Sequence, residues 1–302
     1  MKPAIATVGT FDGFHNGHRQ LIARLIDEGR ARGLESVAVT FGTHPLALVA
    51  PERTPRLLES RDELRSRLEG SGVDRVVWLD FDRQLASLTA AGFLAMLRER
   101  YGVVAVLMGY DNSFGSDRLR TPSEYVEAGR SSGVEVIFDD PYLQPETGIA
   151  PASSLLRRCL ADGRVDLFTL YTGRHYSLGG TVAHGHRNGH RLGFPTLNIA
   201  FDSSRCIPAR GVYAGSVAVG GRSYPAVINV GHNPTIADGN PVTVEAHAIG
   251  ADLGNRYGEQ AAVTFSRRLR DERRFDSLEQ LREAIRADID AARTSDKTAN
   301  KP

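Results

Sequence analysis

The first half of the chain alternates short apolar, β-branched runs with longer amphipathic stretches. The runs AIATVG, SVAVTF, DRVVWLDF, VVAVLMGY and VEVIFDD predict buried strands. Between them, RQLIARLIDEGRARG, SRDELRSRLEGSG and TAAGFLAMLRERYG place apolar residues three and four apart and close on glycine, which predicts helices. This alternation predicts a doubly wound α/β domain whose ligands bind at the carboxyl ends of parallel strands.

From about Tyr171 the pattern changes to period-two alternation, with Gly- and Pro-containing turns between the runs. TVAHG, GVYAGSVAVGG, YPAVINVG, VTVEAHAIG and QAAVTFSRRL predict the strands of an antiparallel barrel or sandwich. A terminal helix is predicted to follow, with Ser277 as N-cap and Gln280 completing a capping box. We place the domains at 1–170 and 171–302, with the boundary inside DGRVDLFTLYTGRHY.

Composition and charge exclude several classes of protein. A length of 302 residues suits about two domains, and 37 basic against 36 acidic residues give a net charge of only +1, so no broad nucleic-acid-binding field is expected. Because the sequence has neither an apolar run long enough to span a bilayer nor a secretory signal, we expect a cytoplasmic protein without a membrane partner. Cys159 and Cys206 are predicted to be buried core or boundary residues. The oligomeric state stays open.

The loop GTFDGFHNGHRQLI joins the first strand to the first helix and is a candidate phosphate site. Gly13 and Gly17 allow the backbone to approach phosphate oxygens, and a helix that begins near His18 presents free N–H groups. His15 and His18, three residues apart at the helix entry, can reach a common anion. The alternative is a tight turn with surface histidines, which the strand–loop–helix context makes the weaker interpretation.

A second candidate site lies in GTVAHGHRNGHRLGFPTLNIAF. Its histidines lack a neighbouring thiolate or carboxylate, so zinc is disfavoured, and the interleaved glycines are typical of a loop that covers phosphates. Thr196 and Asn198 lie two apart in an extended segment, so their oxygens can face one Mg²⁺. On a later strand, alternation places Glu245 opposite the apolar face, where it is either a functional acid or an ordinary solvated residue.

These segments together resemble the bacterial bifunctional riboflavin kinase/FAD synthetase family, in collinear order over nearly the whole chain. GTFDGFHNGHRQLI is similar to the HxGH element of nucleotidyltransferases, MGYDNSFGSDR to the family's flavin-site segment, SSLLR to its second nucleotidyltransferase signature, and GFPTLN to the riboflavin kinase signature. The chain departs from the family pattern at Gly42, where an acid is usual, at Asn112 and Ser113, and at Ser154, where threonine is usual.

The resemblance implies phosphorylation of riboflavin by ATP to FMN in the barrel half, then adenylylation of FMN to FAD, with release of pyrophosphate, in the α/β half. It implies that Glu245 is the general base, that His15, His18 and Arg157 act on phosphates, and that Thr196 and Asn198 hold Mg²⁺ or Mn²⁺. The residues implied to contact nucleotide or flavin are Gly9, Phe11, Asp12, Gly13, Gly17, His44, Asp111, Phe114, Ser153, Ser154, Gly185, Gly189, Gly193, Pro195 and Arg270.

Two other functions remain open at this point. One is a riboflavin kinase whose N-terminal half binds nucleotide without turnover, which the departures in that half favour. The other is a flavin-sensing protein without chemistry, against which the presence of Glu245, Thr196 and Asn198 argues. His44, which precedes a proline, is equally well explained as a turn residue.

Overall fold

The computed structural model describes residues 2–184, 193–232 and 242–299, with side chains described through residue 293. The chain divides into two compact units, Met1–Ser153 and Ser154–Pro302. The boundary between residues 170 and 171 stays a prediction.

The first unit contains a five-stranded parallel sheet in the order β3-β2-β1-β4-β5. Its strands are β1 (Ala4–Val8), β2 (Glu35–Phe41), β3 (Arg75–Leu79), β4 (Val103–Met108) and β5 (Glu135–Phe138). Its helices are α1 (Asn16–Arg32), α2 (Leu46–Val49), α3 (Arg61–Glu69), α4 (Arg83–Ser87), α5 (Ala90–Tyr101) and α6 (Pro122–Ser132), with a 3₁₀ turn at Pro51–Arg53. All five strands predicted from the apolar runs are confirmed.

Helices cover both faces of this sheet, which explains why its strands are apolar without interruption. Ala6 of β1 belongs to one core cluster with Leu94 of α5, whereas the adjacent Ile5 packs on the opposite face with Leu25 of α1. The doubly wound fold is therefore confirmed. The strand order reverses between β1 and β4, and the carboxyl ends of these two strands flank the crevice where such folds bind ligands.

The second unit is a closed antiparallel barrel in the order β10-β7-β6-β11-β8-β9. Two helices precede it, α7 (Ser153–Ala161), which begins at the last residue of the first unit, and α8 (Val165–Thr172). The strands are β6 (Tyr176–Ala183), β7 (Leu197–Phe201), β8 (Gly211–Val219), β9 (Arg222–His232), β10 (Val242–Ala248) and β11 (Gln260–Arg270), and α9 (Leu278–Ala299) follows. The predicted barrel is confirmed.

The segment predicted to link the domains contains a helix, α8. Val165, Phe168 and Tyr171 recur every three residues and are all buried, and the ring of Phe168 packs against that of Tyr176, 5.1 Å away. This apolar stripe stabilises α8 against the barrel unit. The helix is short and lies between Gly163 and Gly173, which is why the segment resembles a linker in the sequence.

The barrel strands alternate between a buried interior and an outer face. Val244, Ala246 and Ala248 of β10 are at most 3% exposed, whereas Glu245 between them is half-buried. Tight strand contact requires glycine in places: a Cβ on Gly215 would lie 1.9 Å from the carbonyl oxygen of Thr264. The alternation predicted for β10 is therefore present.

The terminal helix α9 packs on the outer face of the barrel, where Ile289 and Ala292 contact Val212 and Val227. Its predicted N-cap is observed, since Ser277 Oγ accepts the Gln280 N–H at 3.2 Å. The reciprocal half of the capping box differs, because the Gln280 side chain accepts the N–H of Asp276. In the parts of the chain that the structure describes, no helix combines the length and the apolar composition needed to cross a membrane.

Candidate active sites

The loop after β1 folds over two buried aromatic rings. Phe11 and Phe14 are 1% and 8% exposed and adopt φ angles of 51° and 30°, a region that side-chain-bearing residues rarely occupy. The Phe11 ring lies against Gly9, where a Cβ would be 3.2 Å from the ring. Such backbone strain persists where packing enforces it, and it clusters at functional sites.

His15 sets the start of helix α1. Its Nδ1 accepts the backbone N–H of His18 at 3.2 Å, so α1 begins at Asn16 rather than near His18 as the sequence predicts. The two imidazole rings stack with centroids 3.6 Å apart, and the His15 ring lies over Gly17, where a Cβ would be 3.2 Å from Nδ1. The cap fixes the tautomer of neutral His15, whose remaining proton lies on Nε2.

Burial keeps both histidines neutral. Desolvation lowers the pKa of His15 to about 4, and desolvation together with the neighbouring His15 lowers the pKa of His18 well below its ordinary value. Within the described residues, the buried Nδ1 of His18 has no hydrogen-bond partner. Neutral rings at this position can donate N–H bonds, and an arriving anion would favour their protonated forms.

A pocket opens beside these histidines at the carboxyl ends of β1, β4 and β5, the position that the fold favours for a ligand. Of the residues predicted from the sequence, His15, Gly17, His18 and Asp111 line it. The other lining residues are Gln20, Leu21, Gly109, Tyr110, Asp139, Asp140, Tyr142 and Pro151. Asp139 is held by Arg24, with Nη1 and Oδ1 2.7 Å apart.

Asp12 and Ser153 hold the loop in place. The buried carboxylate of Asp12 accepts the backbone N–H groups of Leu58 and Glu59, at 3.0 and 3.3 Å. The hydroxyl of Ser153 donates to the carbonyl oxygen of Asp12 at 2.7 Å. These observed contacts are structural, and the ligand contacts predicted for both residues stay predictions.

The segment after β4 that resembles a flavin site is partly anchored in the core. The Phe114 ring packs against Phe93 and Tyr125, each at 5.1 Å, while Asp111 is exposed. Gly115 adopts a φ of 98°, and a Cβ there would lie 2.5 Å from the backbone nitrogen of Ala90. The structure therefore places Asp111 at the pocket, whereas Phe114 packs in the core cluster that contains Phe93 and Tyr125.

In the barrel, strand register aligns three predicted residues on the outer face. Glu245 of β10 pairs with Asn198 of β7 on one side and with Asn229 of β9 on the other. Directly paired residues of antiparallel strands project to the same face, so these three side chains form a row. Thr196 joins the row, because its Oγ1 donates to Glu245 Oε2 at 3.2 Å.

The segment that carries Thr196 is fixed against β10. His247 Nδ1 lies 2.8 Å from the carbonyl oxygen of Pro195, and the Phe194 ring stands edge-on to the His247 ring at 5.6 Å. The exposed Gly193 begins this segment with a φ of 85°. The predicted Thr196, Asn198 and Glu245 are thus brought together.

Arg270 is held by the terminal helix. Its Nε and Nη2 donate to the two carboxylate oxygens of Asp288 at 3.0 and 2.8 Å, and Nη1 donates to the carbonyl oxygen of Asp271 at 3.0 Å. Asp288 is 6% exposed. The flavin contact predicted for Arg270 stays a prediction, and its observed partners anchor α9 to β11.

Comparison with known proteins places both halves in families. The family model described as riboflavin kinase matches residues 172–295, and the one described as FAD synthetase matches residues 1–151. The chain is 36% identical to the bifunctional riboflavin kinase/FMN adenylyltransferase of Pseudomonas fluorescens, over 97% of this chain and 93% of that protein. The chain belongs to the bifunctional riboflavin kinase/FMN adenylyltransferase family.

Other relatives extend over similar lengths. The bifunctional riboflavin kinase/FMN adenylyltransferase of Escherichia coli K12 is 34% identical over 96% of this chain and 91% of its own length. A crystal structure described as a macrolide-efflux protein from Streptococcus pneumoniae is 29% identical with a TM-score of 0.85, over 97% of this chain and 94% of that chain. The resemblance to the bifunctional riboflavin kinase/FMN adenylyltransferase family that the sequence motifs indicate is confirmed.

Two departures from the pattern of this bifunctional family have structural counterparts. A Cβ at Gly42 would lie 3.2 Å from Oδ1 of Asp80, the residue that follows β3. The carboxylate of Asp80 therefore lies next to the position at which an acid is usual in the family. Asn112 donates its side-chain amide to the carbonyl oxygen of Val8, which ties the segment after β4 to the end of β1. Ser154 is exposed on α7.

For some of the predicted site residues, the structure does not indicate a contact with a ligand. Gly185 and Gly189 lie outside the described residues, as do His186 and His190. His44 is half-buried, and its Nδ1 accepts the Leu46 N–H at 3.2 Å, which is the turn role considered from the sequence. Arg157 is half-buried on α7.

Sequence reasoning missed Asn229 at the site. It lies in the run INVG, where period two alone places it on the outer face. Its position next to Glu245 follows from the register between β9 and β10. A single sequence does not reveal which residues of two strands pair, so Asn229 could not be identified as a neighbour of Glu245 from the sequence.

Proposed function

We propose that each half of this chain catalyses one step of flavin cofactor synthesis. The barrel half transfers the γ-phosphoryl group of ATP to riboflavin, giving FMN, and the α/β half transfers the adenylyl group of a second ATP to FMN, giving FAD and pyrophosphate. Both family models and the names of the relatives support the two activities. The single observation that carries the kinase step is the row formed by Glu245 with Asn198 and Thr196.

Glu245 is proposed as the general base for the 5′-hydroxyl of the ribityl chain. As the hydroxyl oxygen bonds to the γ-phosphorus, the bond to the ADP oxygen breaks and the hydroxyl proton passes to the carboxylate of Glu245. The hydrogen bond from Thr196 holds that carboxylate at the outer face of β10. The support for this role is the position of a half-buried acid between two amides.

Thr196 and Asn198 have the chemistry that a magnesium ion requires. A hydroxyl and an amide oxygen, two residues apart beside one carboxylate, are hard oxygen donors, and ATP phosphates and water would complete the coordination. Among the described residues, no group of three His, Cys, Asp or Glu side chains converges to hold a metal. When bound, the ion would neutralise phosphate charge during transfer.

In the α/β half, a phosphate oxygen of FMN attacks the α-phosphorus of ATP as the bond to pyrophosphate breaks, and no proton needs to move. The protein's contribution is therefore position and charge stabilisation. His15, which carries its proton on Nε2, and the buried His18 are proposed to donate to phosphate oxygens. Arg157 is proposed to bind the leaving polyphosphate, as guanidinium groups do.

One assay tests the proposal: the protein is incubated with riboflavin, ATP and Mg²⁺, and the flavins are separated by chromatography. FAD supports both steps. FMN alone contradicts the adenylyl-transfer step and favours a kinase with a nucleotide-binding α/β half. Unchanged riboflavin contradicts the kinase step and favours a flavin-sensing protein. We also propose a cytoplasmic location. We further propose that nucleic acids are not partners, which the net charge of +1 supports.

A further inference from the structure

Gln144 reverses the usual pattern of burial in the segment between β5 and α7. Of residues 139–150, all of which the structure describes, only Gln144 is buried, at 4% exposure, whereas the apolar side chains of Leu143 and Ile149 are 53% and 49% exposed. Burying an amide costs free energy unless its polar atoms are hydrogen-bonded. The chain around Gln144 is therefore held in place by hydrogen bonds of this residue rather than by apolar packing.

Both polar atoms of the Gln144 side chain have partners. Oε1 accepts the side-chain amide N–H of Asn16 at 2.9 Å and the hydroxyl of Tyr142 at 3.5 Å, and Nε2 donates to the carboxylate of Glu146. Because a carboxylate only accepts hydrogen bonds, the amide nitrogen faces Glu146 and the amide oxygen faces Asn16. Asn16 is the first residue of α1, so this hydrogen bond joins two parts of the chain that are 128 positions apart.

The backbone of Gln144 closes a compact turn. Its N–H donates to the carbonyl oxygen of Ile149 at 3.0 Å, and its carbonyl oxygen accepts the N–H groups of Thr147 and Gly148 at 3.1 and 2.8 Å. The same residue thus closes the turn through its backbone and joins it to Asn16 through its side chain. A displacement of Gln144 relative to Asn16 would carry the turn with it.

Residues on both sides of this turn line the pocket beside the histidines. Tyr142 precedes the turn and Pro151 follows it, and both line the pocket together with His15 and His18. Asn16 directly follows His15 in the chain. The hydrogen bond between Asn16 and Gln144 therefore connects the part of the pocket that carries the imidazoles to the part that carries Tyr142 and Pro151.

We propose that Gln144 is a positioning residue for adenylyl transfer and acts through its hydrogen bond to Asn16. The bond sets the separation between the wall segment, residues 142–151, and the imidazoles of His15 and His18, so that the pocket holds the reacting phosphates in line. This inference rests on the proposed function of the α/β half. A transfer that depends on position is sensitive to this separation, because a misplacement of about 1 Å can cost about 10² in rate.

The test measures two activities of the full-length protein, the adenylylation of added FMN by ATP and the phosphorylation of riboflavin, which is the internal control. Gln144→Met removes the hydrogen bonds of the amide at similar side-chain length, and Asn16→Ala removes the other partner. A variant with both substitutions completes a double-mutant cycle. Gln84→Met is the matched control, because it makes the same change at an exposed position of α4.

We expect the kcat for FMN adenylylation to fall about tenfold or more in Gln144→Met and in Asn16→Ala, with KM values for ATP and FMN within about threefold of wild type. The double variant should be about as active as the slower single variant, because both changes remove the same hydrogen bond. Riboflavin phosphorylation should be unchanged in every variant, and Gln84→Met should keep both activities. Unfolding followed by the fluorescence of Trp78 shows whether each variant folds.

An adenylylation kcat within about twofold of wild type in a folded single variant overturns the positioning role. Additive losses in the double variant, a rise in KM without a fall in kcat, or a parallel fall in riboflavin phosphorylation also overturn it, because each places the effect outside the shared hydrogen bond or outside the transfer step. If Gln144→Met does not fold, Asn16→Ala decides. A wild-type protein that forms no FAD from added FMN contradicts the proposed function itself, whereas an active wild type with unaffected variants contradicts only the role of Gln144.

Discussion

A substitution of Glu245 can change the rate of catalysis without changing the stability of the fold. Glu245→Gln keeps the size of the side chain and its acceptor for Thr196, but it cannot take a proton. We expect riboflavin phosphorylation to fall by about 10²–10⁴ with an unchanged unfolding transition, because that is the usual contribution of a general base. Steady-state rates and thermal unfolding measure the two effects.

The matched control for this substitution is Glu259→Gln, which changes an acid paired with Arg256 before β11. It should leave the rate of phosphorylation unchanged. Wild-type turnover in Glu245→Gln would refute the assignment of the base.

His15 makes the stability of the α/β half depend on pH. Burial lowers its pKa to about 4, so between pH 6.5 and pH 4 the unfolded chain binds a proton that the folded chain does not. The free energy of unfolding therefore falls as the pH falls through this window. His15→Asn keeps a side chain that can cap the helix but has no imidazole to protonate. We expect this substitution to reduce the loss of unfolding free energy at low pH by up to about 3 kcal/mol.

Urea unfolding at pH 7, 5 and 4 measures this effect. The protein has one tryptophan, Trp78 in β3, so its fluorescence reports the α/β half. His232→Asn, in the barrel, is the control and should leave the Trp78 transition unchanged. Parallel pH curves for wild type and His15→Asn would show that His15 does not carry the dependence.

The members of the Glu245 row could be singled out from the sequence where they belong to a local motif, but not where strand register alone brings them together. Thr196 and Asn198 lie two residues apart, and alternation assigned Glu245 to the polar face of its strand. Asn229 is far from that motif in the chain, and only the pairing of β9 with β10 places it next to Glu245.

At the scale of elements, an ion pair adds to the apolar packing that holds the terminal helix on the barrel. The buried side chain of Asp288 binds Arg270 through two hydrogen bonds. We expect Asp288→Ala to destabilise the barrel by about 3 kcal/mol, because it leaves the guanidinium of Arg270 partly buried without its partner. Denaturant unfolding followed by circular dichroism measures the loss.

Asp290→Ala is the control on the same helix, two residues further along. Its carboxylate is 78% exposed and lies 3.9 Å from Arg293, and such surface pairs contribute little. Equal stabilities for the two variants would mean that the ion pair does not anchor α9.

Helices and strands whose buried residues recur at a regular spacing could be predicted from the sequence. The five strands of the parallel sheet are apolar throughout because both faces are covered, and the barrel strands alternate because one face is interior. Helix α8 was missed because its stripe of Val165, Phe168 and Tyr171 is short and flanked by glycines. Its stability comes from the tertiary packing of this stripe against the barrel unit rather than from local helix propensity.

At the scale of the whole molecule, the two candidate sites are formed by different sheets of the chain. The pocket beside His18 is built from the carboxyl ends of parallel strands, and the Glu245 row from the register of barrel strands. Each family model covers one of these architectures. A change at one site should therefore leave the chemistry of the other intact, and the flavin that accumulates should identify the impaired step.

Two substitutions in the full chain test this separation. Glu245→Gln should convert added FMN to FAD at the wild-type rate while forming almost no FMN from riboflavin. His18→Gln removes one proposed donor to the phosphates, and because such donors contribute about 10²–10³ in rate, it should accumulate FMN from riboflavin while FAD formation falls by that factor. Chromatography of the flavins over time measures both. Loss of FMN adenylylation in Glu245→Gln, or of riboflavin phosphorylation in His18→Gln, would contradict the assignment of one reaction to each half.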